Sequence, residues 1–123
     1  MEERGMGFKT DSFEEKWLSR ALDRIPMAVT IFNLKGEMLY YNETAPRILS
    51  RQPELLGKDI RLCHRRPESV VRIDAMLREF QQGRREPISY EARPYGQTLR
   101  VTVSPLEVDG RLVGCVHTAV AKT

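Results

Sequence analysis

The last third of the chain alternates apolar and polar residues, and this pattern constrains the fold more than any other feature of the sequence. Apolar residues occupy every second position over 88–92 and over 99–103, and residues 112–120 form a nearly continuous apolar run. Asp109-Gly110 separates the last two segments and is typical of a tight β-hairpin turn. The pattern predicts three consecutive strands that pair in an antiparallel sheet.

A helix is predicted at the start of the chain. Phe13 and Trp17 recur at helical spacing with other apolar residues, and Pro26 ends the pattern, so the helix should cover 13–25. Residues 1–9 are expected to be a disordered leader. The apolar face of this helix needs cover, either from the open face of a sheet in the same chain or from a second copy. We therefore expect a homodimer that forms through the N-terminal helix.

The residues between these two regions predict a hairpin and two kinds of helix. Residues 27–33 and 38–41 are rich in β-branched and aromatic side chains and flank a turn at Gly36. Proline and glycine interrupt residues 42–63, which favours several short helical turns. Residues 67–82 place their apolar side chains on one arc and predict the longest helix.

The order of these elements predicts the fold class. A helix, two strands, short helices, a longer helix and three strands fit an α+β fold, in which an antiparallel sheet carries helices gathered on one face. The 123 residues, 41% of them hydrophobic, suffice for one domain with a modest core.

Charge and composition limit the function classes. The net charge is +3, but the basic residues are spread along the chain, so no direct contact with nucleic acid is expected. The sequence lacks an apolar run long enough for a membrane span, and it lacks a signal peptide, so a cytoplasmic location with reduced cysteines is expected. It also lacks a phosphate-binding loop, a dinucleotide fingerprint and a serine elbow, which favours a role other than catalysis.

Three short motifs, in their order along the chain, resemble the PAS domain family. Leu-Tyr-Tyr-Asn at 39–42 follows Gly36 as in the first PAS hairpin, and Leu-Gly-Lys at 56–58 is similar to the step before the long PAS helix. Residues 109–114, Asp-Gly-Arg-Leu-Val-Gly, resemble the last PAS hairpin. The resemblance extends over residues 13–121.

This resemblance implies both an architecture and a role. It implies a five-stranded antiparallel sheet with helices on one face over residues 27–121, preceded by a flanking helical segment at 10–26. PAS domains sense small ligands and transmit the result through helices and dimer contacts. The resemblance therefore implies a cytoplasmic sensor in signal transduction.

A narrower resemblance concerns the start of the long helix. Cys63-His64, followed by Pro67 and then Ser69-Val70, is similar to the motif of haem-binding PAS domains, although Arg65-Arg66 stands where those motifs have prolines. The resemblance implies that His64 is the axial ligand of haem b. We expect iron that is open on its other side to CO, NO or O2, or a site that senses redox state.

The haem would lie between the long helix and the sheet. The residues expected to contact it, besides His64, are Cys63, Val70, Ile73, Leu77, Leu99, Val101, Val103, Leu106 and Val116. On this interpretation Gly114, Val116 and Thr118 face the pocket, and His117 faces outward.

Alternatives stay open at this point. The domain could bind another small ligand, or none, and act in dimerisation and signal relay. Cys63 could be a thiolate ligand or a small buried hydrophobe. Cys63, His64, Cys115 and His117 could together hold zinc, although their spacing matches no zinc finger.

Overall fold

A computed structural model describes residues 12–63 and 67–122 of the chain. It has three α-helices, α1 (Ser12–Arg24), α2 (Ala45–Ile48) and α3 (Pro67–Gln81), within these residues. The strands are β1 (Ala28–Asn33), β2 (Met38–Tyr41), β3 (Ile88–Ala92), β4 (Leu99–Val108) and β5 (Arg111–Ala121). Short 3-10 turns cover Pro53–Leu55, Ile60–Cys63 and Pro94–Gly96. The leader predicted at 1–9 lies outside the described residues.

The five strands form one antiparallel sheet in the order β2-β1-β5-β4-β3. The first and last strands of the domain therefore pair at its centre, and each hairpin extends outward from them. This arrangement confirms the α+β fold class with a five-stranded antiparallel sheet. None of the described helices is long and apolar enough to cross a membrane.

One face of the sheet, called the inner face below, carries the core. Strand alternation places Leu99, Val101 and Val103 of β4 on this face, together with Cys115 and Ala119 of β5. Helix α3 packs over them with its apolar side, which is why the sequence over 67–82 has one apolar arc. The buried α3 residues of this cluster are Ile73, Met76, Leu77 and Phe80.

Gly114 lies where β5 passes very close to β1. A Cβ atom at this position would lie 2.2 Å from the Phe32 carbonyl oxygen, far inside van der Waals contact. Only glycine permits this approach, and the approach fixes the β1–β5 register at the centre of the sheet.

Asn42 fastens α1 to the first hairpin. Its fully buried side chain accepts hydrogen bonds from the backbone N–H groups of Val29 (2.9 Å) and Ala45 (3.2 Å). Its Nδ2 donates to the carbonyl oxygens of Leu22 (2.7 Å) and Met27 (3.0 Å). One amide side chain thus connects α1, β1 and the start of α2.

Arg61 connects the first hairpin turn to α3. Its guanidinium donates to both carboxylate oxygens of Asp59 at 2.8 Å, to the Lys35 carbonyl at 2.7 Å, and to Asp74 of α3. Asp59 also forms an isolated β-bridge with Glu37. Charge-assisted hydrogen bonds of Arg61 therefore attach the segment before α3 both to the first hairpin turn, through the Lys35 carbonyl, and to α3, through Asp74.

Candidate ligand site between α3 and the inner face of the sheet

Five of the residues predicted to line the pocket meet in the core. Ile73 and Leu77 of α3 pack in the same buried cluster as Leu99, Val101 and Val103 of β4. Val70, almost one turn before Ile73 in α3, is half-buried. These five residues therefore pack together between α3 and β4, and their contact with a ligand stays a prediction.

Two predicted wall residues, Leu106 and Val116, lie on the other face of the sheet, so these predictions are wrong. Val116 pairs with Ser104 of β4 and Ile31 of β1, and all three alternate away from the core. Leu106 pairs with Gly114 on that same face. For Val116 the error came from the parity of β5, which a nearly continuous apolar strand does not reveal. Leu106 has the opposite parity to Leu99, Val101 and Val103 within β4 itself.

The same parity reverses the prediction for His117. It pairs with Val103 on one side and Thr30 on the other, and both of these side chains are fully buried on the inner face. His117 itself is buried, so it faces the core and not the outside. The imidazole that the sequence assigned to the outer surface therefore belongs to the candidate site.

The structure does not describe the predicted iron ligand. Cys63 is the last residue of the Ile60–Cys63 turn, and its side chain is not described. His64, Arg65 and Arg66 lie outside the described residues. The assignment of His64 to iron therefore stays a prediction.

A buried polar group lies beside the apolar wall. The Arg51 Nε donates to the Thr30 hydroxyl oxygen at 3.0 Å, and its Nη1 donates to the Ser50 carbonyl at 3.1 Å. Thr30 in turn lies directly across from His117 in the β1–β5 ladder. A guanidinium, a hydroxyl and an imidazole thus converge where the rest of the inner face is apolar.

Tyr90 of β3 and Arg72 of α3 extend this polar group toward solvent. The Arg72 guanidinium lies 4.2 Å from the centre of the Tyr90 ring, which is a cation–π contact. Burial raises the pKa of Tyr90, and the positive charges of Arg72 and Arg51 partly oppose that rise. The phenol is therefore neutral at physiological pH and can donate a hydrogen bond.

Sequence reasoning missed Thr30 and Arg51. Thr30 stands between Ala28 and Phe32 on the buried side of β1, and a polar residue at a core position of a strand was a signal for it. Arg51 gave no signal, because it lies in the irregular stretch after α2 and only the tertiary structure brings it to β1.

The site can recognise polar groups of a small molecule. Arg51 and Tyr90 supply hydrogen-bond donors, Thr30 and His117 can donate or accept, and the α3 side supplies apolar contact. Within the described residues, no group of three or more His, Cys, Asp or Glu side chains is arranged to hold a metal ion.

Comparisons with known proteins are consistent with this architecture. A family described as PAS domain matches residues 18–121 of the chain. No curated protein sequence matches it. Among solved structures, a C-terminal domain from Streptococcus mutans is similar, with a TM-score of 0.76 and 19% identity over 94% of this chain and 90% of that one.

Two further structures show the same fold. A PAS domain of a Colwellia psychrerythraea protein has a TM-score of 0.70 and 16% identity, covering 89% of this chain and 98% of that one. A sensory box sensor histidine kinase from Vibrio cholerae has a TM-score of 0.64 and 18% identity, covering 91% and 94%. These identities are low, so the similarity concerns the fold alone.

Proposed function

Because the chain belongs to the PAS domain family, whose members generally act as sensory and signalling modules, we propose that it is a sensor domain that binds a small polar organic molecule between α3 and the inner face of the sheet. Thr30, Arg51, His117 and Tyr90 would contact the polar groups of this molecule. Ile73, Leu77 and the apolar residues of β4 would contact the rest of it.

The observation that carries this proposal is the buried position of Arg51 beside Thr30 and His117. Removing a guanidinium, a hydroxyl and an imidazole from water costs free energy, whereas apolar residues of similar size would fill a core without that cost. A binding site gives these groups a use, since a small number of well-placed polar groups orient a ligand in an otherwise apolar pocket.

A short path of hydrogen bonds leads from this site to α1. Thr30 is adjacent to Val29, whose N–H donates to the Asn42 side chain at 2.9 Å. Asn42 donates in turn to the Leu22 carbonyl in the last turns of α1, at 2.7 Å. A ligand that shifts β1 would therefore alter the attachment of α1, which makes this helix the natural output of the sensor.

The test is to identify a molecule that co-purifies with the chain and to ask whether the inner face holds it. Native mass spectrometry of the purified chain should show a bound small molecule, and denaturing mass spectrometry should show the same molecule after its release. The Thr30→Val variant should retain several-fold less of this molecule. Thr102→Val is the matched control, because it makes the same change in β4 on the outer face, where the Thr102 hydroxyl bonds to Ser89 (2.9 Å). Equal retention in the two variants would contradict the proposed site.

The haem prediction made from the sequence meets mixed support. Ile73, Leu77, Leu99, Val101 and Val103 have the apolar character that a haem needs. In the described structure, however, they are packed against one another with 0–6% of their surface exposed, so any ligand must separate α3 from the sheet, and a macrocycle would have to separate them much further than a small molecule. We therefore assign no part of the sensing mechanism to haem iron.

His64 still permits a direct test of haem binding. Haem-free chain incubated with hemin should give a Soret band that His64→Ala abolishes if this histidine holds iron. A His117→Ala variant is the control, because His117 is the other histidine of the chain and faces the core. A band that neither variant changes would exclude both histidines as the axial ligand.

A further inference from the structure

Helix α1 carries a basic face that the proposed ligand site does not use. Lys16, Arg20 and Arg24 follow one another at spacings of four residues, and Trp17 and Ala21 lie beside them. These five exposed residues, called the basic face below, line an open surface depression with a volume of about 480 Å³. Trp17 has 66% of its surface exposed.

The basic face points away from the domain. Leu22 and Asp23 attach α1 to the first hairpin, where the Leu22 carbonyl accepts from Asn42 and the Asp23 carboxylate accepts from the Glu43 N–H at 2.8 Å. Asp23 follows Lys16 by seven residues and lies on the same side of the helix as Lys16. At about 100° per residue, Leu22 lies roughly 140° around the helix from Trp17. The domain leaves Trp17 with 66% of its surface exposed, so the expected packing of Trp17 on a sheet in the same chain does not occur.

The charges of this face select its partner. Within the part of the chain that the structure describes, none of Lys16, Arg20 and Arg24 forms an ion pair with an acidic side chain. Two copies of this face would bring like charges together, which weighs against a dimer through it. A membrane-binding helix would need a wide apolar side, and among the five residues of the basic face only Trp17 and Ala21 are apolar.

We propose that the basic face of α1 binds an acidic amphipathic helix of a partner protein. Side chains four residues apart on a helix are about 6 Å apart along its axis, so carboxylates at the same spacing on a partner helix can meet all three cations. An apolar side chain between these carboxylates would contact Trp17 and Ala21. This proposal rests on α1 alone, so it can hold whether or not the core binds a ligand.

The experiment uses Trp17 as its own probe, since it is the only tryptophan of the chain. The full chain is titrated with a synthetic helical peptide that has glutamates four residues apart, leucines between them and no tryptophan. We expect a saturable blue shift of the Trp17 emission. A control peptide with lysine in place of every glutamate should produce none.

Charge variants of the chain locate the contact. Arg20→Glu should weaken binding of the acidic peptide by about tenfold, the change expected for reversing one interfacial charge. Arg78→Glu makes the same charge change on exposed α3 and should leave the affinity unchanged. The triple variant Lys16→Glu/Arg20→Glu/Arg24→Glu should bind the lysine peptide instead.

Three outcomes would overturn the proposal. Equal binding of both peptides would show that charge does not select the partner. A blue shift only with polyuridylate or only with phosphatidylserine vesicles would assign the face to nucleic acid or to membranes. Self-association in sedimentation experiments that Trp17→Glu abolishes would assign it to a second copy of the chain.

Discussion

At the scale of single residues, Asn42 matters because its side chain satisfies backbone groups from three elements. All four of its hydrogen bonds are buried or partly buried, so their loss would leave backbone donors and acceptors without water to replace the amide. The sequence identified Asn42 only as the last residue of the Leu-Tyr-Tyr-Asn motif at 39–42. Its contact with α1, 20 residues earlier, depends on the tertiary structure.

Asn42→Ala should therefore lower the free energy of unfolding by about 2–4 kcal/mol, the range for several unmade buried hydrogen bonds. Urea unfolding followed by far-UV circular dichroism measures this change. Asn33→Ala is the control, because the Asn33 side chain bonds within the partly exposed first turn and its loss should cost about 1 kcal/mol. Equal losses in the two variants would show that the attachment of α1 through Asn42 contributes little.

Cys115 gives a second prediction at this scale. Its thiol is fully buried, and burial raises its pKa to about 11, so the reactive thiolate is scarce at neutral pH. In a Cys63→Ser variant, Cys115 is the remaining cysteine. It should react with Ellman's reagent only as fast as the domain unfolds, and fully in guanidinium. Complete reaction of the native protein within the mixing time would contradict its burial.

At the scale of elements, Arg61 joins the first hairpin turn to α3. The side-chain hydrogen bond from Arg61 is the largest cause that holds the pKa of Asp59 below its ordinary value. A carboxylate with a depressed pKa stabilises the folded state above its unfolded pKa, and this contribution disappears as the pH falls through the folded pKa. The contact should therefore weaken as the pH falls below about 4.

Arg61→Gln should reduce stability at pH 7 by about 1 kcal/mol, because both partners are partly exposed and solvent screens them. Between pH 5 and pH 3 the variant should lose less stability than the wild type, since Asp59 no longer gains from ionisation. Urea unfolding at each pH measures both slopes. Arg78→Gln removes an exposed α3 charge and should keep the wild-type dependence of stability on pH. If the stability of Arg61→Gln fell with pH as steeply as that of the wild type, the Arg61–Asp59 contact would not be the cause of this pH dependence.

At the scale of the whole molecule, α1 is attached to the domain by a few polar contacts and little apolar burial. Its largest side chain, Trp17, and Leu18 have 66% and 46% of their surfaces exposed. The hydrogen bonds from Asn42 to Leu22 and from Glu43 to Asp23 join it to the first hairpin. This weak attachment suits the role that we propose for α1, an element that changes position on ligand binding.

A chain that begins at Ile25 should fold into the same sheet, but its unfolding free energy should be lower by about 1–3 kcal/mol, because the α1 partner of Asn42 is lost. Far-UV circular dichroism and urea unfolding measure fold and stability. Trp17→Ser in the full chain should change stability by no more than about 0.5 kcal/mol, as expected for an exposed position. A large loss of stability in Trp17→Ser, with no loss in the shortened chain, would contradict both the exposure of Trp17 and the stabilising attachment of α1.

The sequence by itself determined the elements and their order. Three local patterns were enough for this: the alternation over β3 and β4, the Asp109-Gly110 turn, and the apolar arc of α3. Each depends only on residues that are neighbours in the sequence, so it predicts its element without knowledge of the rest of the fold. The same patterns placed Ile73 and Leu77 on one side of α3, and Leu99, Val101 and Val103 on one side of β4. We expected these residues to contact a haem, and the structure packs them in the core.

The tertiary structure alone decided which side of β5 faces the core and which distant residues meet there. Residues 112–120 are apolar on both sides, so the strand pattern left the parity open, and the β1–β5 and β4–β5 registers then turned His117 inward and Val116 outward. The contact of Arg51 with Thr30 joins residues 21 positions apart through an irregular segment that has no periodicity to read. Both features follow from long-range pairing, which local sequence patterns do not encode.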